Sequence, residues 1–98
     1  MNLPAPVQGD NHKLAIASIT NRTLRELVIK YDSKRTKSSP SEIADQIWAV
    51  IHWTWQNHRQ EAEETIRKHI AGVQDVDAWL QSEYEADAAK YNGQQVPA

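Results

Sequence analysis

Cysteine is absent from this 98-residue chain, phenylalanine is absent too, and glycine occurs only three times. Without cysteine there is no disulfide framework, no thiolate nucleophile and no cysteine-based zinc site. That suits a reducing compartment, and a cytoplasmic location is expected. Without phenylalanine, tryptophan and tyrosine must supply all the aromatic volume of the core. No run approaches the roughly 20 apolar residues needed to span a bilayer. The opening MNLPAPVQGD has neither the basic start nor the apolar stretch of a secretory signal. With so little glycine there is also no glycine-rich phosphate loop.

What is present fits one domain whose folding buries roughly 60–65% of the unfolded surface, enough for one modest core. Proline and glycine at Pro4, Pro6 and Gly9 mark residues 1–10 as a flexible lead. A single helical domain is expected over 11–92, with a flexible tail at 93–98. Net charge is −2 but unevenly spread: residues 1–40 stand at +4 and residues 41–98 at −6. Such asymmetry can steer a partner, or let the two halves pack together within one chain or between two.

Leu14, Ala17, Thr20, Leu24, Leu27, Val28 and Tyr31 recur in steps of three and four, a helical period. SITNRT interrupts them with side chains that compete for backbone hydrogen bonds, so the helix is expected to start near Asn21, with KLAIAS as a separate turn. DSKRTKSSPS reads as a basic loop. SPSE then gives the clearest local signal: Ser39 as N-cap, Pro40 at the first helical position, Glu42 closing a capping box. No glycine or proline follows until Gly72. Asp75 can cap a last helix carrying Val76, Trp79, Leu80, Tyr84, Ala88 and Tyr91. The expectation is an all-α, three-helix arrangement, with helices near 20–31, 40–71 and 75–91, the central one kinked near Asn57. Unbroken, that helix would be about 48 Å long, against a diameter of about 30 Å for a compact chain of this size. This excess length points to a homodimer.

Three of the four tryptophans fall in IWAVIHWTWQNH. At about 100° per residue, Ile43, Ala44, Ile47, Ile51, Trp55 and Ala62 share one broad face, with Trp48 on its shoulder, while Trp53 lies roughly 150° away. A strand would instead put Ile47, Ile51, Trp53 and Trp55 together by alternation, but the cap upstream and the Glu63–Arg67 spacing downstream favour helix. Trp53 is then either covered by another element or an aromatic anchor for a partner. The candidate partner-binding residues are Trp48, Trp53 and Trp55.

Catalytic chemistry is not expected. The carboxylates at 61, 63, 64, 83, 85 and 87 read as solvated faces, and no acid/base or nucleophilic set is recognisable. No two of His12, His52, His58 and His69 have metal-binding spacing, and His58 with Glu61 makes only a two-ligand pair. No metal or cofactor is therefore expected. Arg22, Arg25, Lys30, Lys34, Arg35 and Lys37 form a basic cluster that could meet phosphates. Nucleic-acid binding is the alternative to the preferred reading: a small non-enzymatic interaction module that binds a protein partner and self-associates, with no membrane role.

Overall fold

Small polar side chains set where the helices begin. In the computed structural model, which describes residues 3–93, Asn11 accepts the Leu14 N–H and starts α1 (His12–Ile19), and Asn21 accepts the Leu24 N–H and starts α2 (Arg22–Thr36). The Ser39 hydroxyl accepts the Glu42 N–H and, with Pro40 in the first turn, starts α3 (Pro40–Asn57). α4 follows at Arg59–His69. Asp75 accepts the Ala78 N–H and starts α5 (Val76–Gly93). Each cap satisfies one of the N–H groups that a helix start leaves without a partner. Every regular element among the described residues is an α-helix, so the fold class is all-α. The expected tail falls, from residue 94 on, outside the described residues.

The three-helix arrangement becomes five. KLAIAS is not an isolated turn but most of α1, and Asn21 does open the next helix. The expected 32–41 loop shrinks to residues 37–39. α2 runs on to Thr36, whose hydroxyl donates to the Asp32 carbonyl, and it ends where Lys37 takes a left-handed conformation at φ 61°. Lys34 and Arg35 thus lie in the last turn of α2, where positive charge complements the helix dipole.

The long central helix divides at His58 (φ −129°, ψ 40°). The Asn57 amide donates back to the Trp53 carbonyl, a local bond of the kind that competes with helix continuation. The chain is redirected there, and Arg59 lies over the Trp55 ring at 4.8 Å and reaches Asp77 at 3.2 Å. The described residues measure 40 × 27 × 22 Å, too short for the undivided 40–71 helix. The argument for dimerisation from excess length therefore falls away.

α3 is the centre, packed against each of the other four helices. Its Trp48, Ile51 and Trp55 join Ile16 and Ile19 of α1, Ala62 and Ile66 of α4, and Val76 and Leu80 of α5 in one buried cluster. α5 lies chiefly on α3, not on α4 as a two-helix hairpin. Residues 3–10 run along α3 as well. Leu3 joins the core, the Val7 N–H donates to the Ala49 carbonyl, and the His52 Nδ1–H donates to the Pro4 carbonyl. At Gly9 the backbone comes so near α3 that a Cβ would lie 2.6 Å from Val50 Cγ1, so a side chain there would displace one or the other.

The two oppositely charged halves meet inside the chain. Arg25, 1% exposed, donates to Asp87 at 2.8 Å and Glu83 at 3.1 Å, and to the Ser18 and Ile19 carbonyls. The Trp48 indole N–H donates to the same Asp87 at 2.8 Å, and Arg25 stands 5.1 Å from the centre of the Trp48 ring. Arg22 pairs with Glu83 from the rim. The Arg22 hydrogen bond holds the Glu83 carboxyl below its ordinary value; burial opposes this and Arg25 adds to it. A carboxylate with a lowered folded value stabilises fully above its unfolded value, and that stability is lost as pH falls through the folded one. Acid titrations of the folding free energy should therefore show stability falling below the ordinary carboxylate range. The acid-side slope should be shallower in Glu83→Gln; an unchanged slope would remove Glu83 as a source of the acid sensitivity.

Candidate interaction surface

The three tryptophans of α3 have different surroundings. Trp48 is fully buried, with Tyr84 edge-on at 5.8 Å. Trp55 is 3% exposed and donates its indole N–H to Asp77 at 2.8 Å. Neither is open to a partner. Trp53 is half-buried, its ring 5.6 Å from that of His58 and tilted by 59°. A helix at the centre of the fold is contacted on nearly every side, and the His58 ring at the turn is one of the groups beside Trp53.

The basic cluster is also divided. Arg25 is core and Arg22 is paired with Glu83. Arg35 pairs with Asp32 at 3.4 Å within its own helix. Lys30, Lys34 and Lys37 are exposed, and no ion pair involves them among the described residues. The turn between α2 and α3 is three residues, short enough for a helix-turn-helix. Even so, α3 is the buried centre of the fold, and its first turns show solvent the acidic side chains Glu42 and Asp45. That is the wrong charge and the wrong helix for a DNA groove.

The most open apolar surface lies elsewhere. Among the described residues, the most exposed large apolar side chains are Tyr31 at 68%, Leu27 at 60%, Val7 at 55% and Leu14 at 52%. On α2, Val28, Leu24, Tyr31 and Leu27 succeed one another round the helix through about 100°, starting at Val28 on the side that faces α1 and α3. There Leu14, Val28, Ile43, Ile47 and Val50 line a groove of about 320 Å³ between the three helices. Asp10 and Asp32 lie at its polar margin. Periodicity placed Leu14, Leu27 and Tyr31 on helices without saying which face they take. α2 is anchored through Arg25 and Ile29, which rotates Leu27 and Tyr31 outward.

The remaining polar cluster joins parts of the chain far apart in sequence. The His12 ring at the start of α1 stacks on that of His58, centroids 3.9 Å apart and planes within 7°. His12 Nε2 is 3.4 Å from a Glu61 carboxylate oxygen. His58 and Glu61 were a recognisable pair in the sequence; His12, 46 positions earlier, was not. Compared with known proteins, the chain matches no family model, and neither a curated protein nor a solved structure is significantly similar to it.

These environments separate the tryptophans by experiment. Trp48→Ala should lower folding stability by about 3–5 kcal/mol in chemical denaturation, as for a fully buried large side chain. Trp53→Ala, from a half-buried position, should lower it by clearly less. Equal losses would mean that Trp53 is as much a part of the core as Trp48.

Proposed function

We propose that this chain is a small non-enzymatic helical interaction module that acts by binding protein, with the α1–α2–α3 groove and the outer stripe of α2 as its contact surface and a second copy of itself as one occupant. The carrying observation is the continuity of exposed apolar side chains. Leu27 and Tyr31 lie beside Leu24 and Val28 on the helix, and Val28 lines a groove that exposed Leu14 also lines. Contiguous apolar surface of this kind favours association, because pairing removes it from water. Tyr31 is the natural anchor, since tyrosine brings a large rigid contact area and a hydrogen-bonding tip. Lys30 and Lys34 on one side of the stripe and Asp32 on the other provide a charged rim of both signs. Two copies related by a twofold axis could set each lysine pair against the other copy's aspartate. Self-association thus rests on α2, with Trp48 and Trp55 buried and Trp53 half-buried beside His58.

Nucleic-acid binding is the second reading, favoured by the free lysines Lys30, Lys34 and Lys37. Counterion release from so few phosphate contacts gives only weak, salt-sensitive affinity. The interaction reading predominates for that reason.

Sedimentation equilibrium of the full chain and of Leu27→Glu/Tyr31→Glu tests it. The wild type should populate dimers in the micromolar range, and the double variant should be monomeric with an unchanged far-ultraviolet spectrum. A wild type that is monomeric throughout, or a variant that dimerises equally well, would contradict self-association through α2.

A further inference from the structure

We infer that His12, His58 and Glu61 form a binding site for a borderline divalent cation of the zinc type. One donor atom from each residue can be chosen so that all three lie within 4.8 Å of one another. In a tetrahedral site with metal–ligand distances near 2.1 Å, neighbouring donors stand roughly 3.4 Å apart. The closing movement needed is therefore about an ångström and a half at most. His12 Nε2 and the Glu61 carboxylate, at 3.4 Å, are already at that spacing.

The three residues arrive together for separate structural reasons. Asn11 caps α1 and so fixes His12 as its first residue. α1 packs on α4, which brings that residue to the α3–α4 junction. His58 is the junction itself, and Glu61 follows at the third position in the first turn of α4. Although His58 occupies the N-cap position of α4, its side chain makes no capping hydrogen bond. The Trp53 ring flanks it. His58 and His12 are only half-buried, and coordination requires one ring to swing: parallel rings direct their in-plane lone pairs alongside one another, and the two must converge.

The donor set selects the ion. Two imidazoles and one carboxylate suit zinc, cobalt, nickel or copper, whereas magnesium and calcium prefer all-oxygen shells. Three protein ligands leave the remaining positions to water. The start of α4 presents positive dipole charge, unfavourable to a cation. Glu64, which borders the same hollow as His58 and Glu61, adds a second carboxylate that offsets it. Arg59 borders that hollow as well, but its guanidinium is engaged by the Asp77 carboxylate and the Trp55 ring. A bound ion would tie α1 to the α3–α4 junction and would stabilise the fold by binding the native state alone.

Calorimetric titration of the full chain with zinc chloride, and cobalt(II) absorption, test the assignment. We expect one equivalent of zinc at micromolar affinity, a saturable visible cobalt band at one equivalent, and a raised melting temperature. His12→Gln, at a half-buried position in the first turn of α1, should keep the helical spectrum while weakening zinc by more than the roughly tenfold that loss of an outer-shell partner alone costs. Glu61→Gln should weaken it as well. Absence of saturable zinc binding in the wild type would overturn the assignment. So would undiminished binding in His12→Gln, or magnesium binding as tightly as zinc.

Discussion

A single guanidinium, that of Arg25, joins four parts of this fold. It lies fully buried, and a lone buried charge would be too costly to keep. It therefore requires Glu83 and Asp87 of α5, and the Ser18 and Ile19 carbonyls at the end of α1. Asp87 in turn receives the Trp48 indole N–H, which fixes the largest core side chain of α3. α1, α2, α3 and α5 are thus held in one register by directional bonds. The apolar cluster beneath them, with its non-directional burial, does not set register alone. Replacing such a network by apolar residues of similar volume is often neutral or stabilising in other proteins, whereas removing one partner is strongly destabilising. Its value here lies in which helices are neighbours.

The same register explains the surface. With Arg25 and Ile29 turned toward α5 and the core, Leu27 and Tyr31 must face outward. The exposed stripe on α2 is a geometric consequence of anchoring that helix through a charge. The turn at His58 acts similarly at the other end of the molecule. By folding α4 back along α1, it shelters one side of Trp53 and brings His12 onto His58.

Local signals carried much of this in the sequence. Ser39, Pro40 and Glu42 marked the start of α3, Asp75 that of α5 and Asn21 that of α2, because a cap is read from a few adjacent residues. The weak point near Asn57 was visible for the same reason, through an amide side chain that competes with the helix. The charge asymmetry between the two halves was visible as well, and part of it is spent internally on Arg22 and Arg25 against Glu83 and Asp87. Arg25 itself was not legible as core, because its partners lie 58 and 62 residues downstream and it stands among the basic residues of the 22–37 stretch. The His12 contact was hidden likewise, since only the packing of α1 on α4 creates it. The turn at 37–39 was overestimated because DSKRT is a loop-like composition, rescued as helix by the Thr36 hydroxyl and a left-handed Lys37.

A double-mutant cycle between Arg25→Met and Asp87→Asn, read by chemical denaturation, bears on the organising role of this network. Asparagine keeps an acceptor for the Trp48 indole while removing the charge. We expect Arg25→Met alone to lose about 3–5 kcal/mol, and a coupling energy between the two positions in the upper part of the roughly 0.5–3 kcal/mol range for residues in one network. Additive losses, with coupling below about 0.5 kcal/mol as between independent sites, would contradict the claim that Arg25 holds α2 to α5.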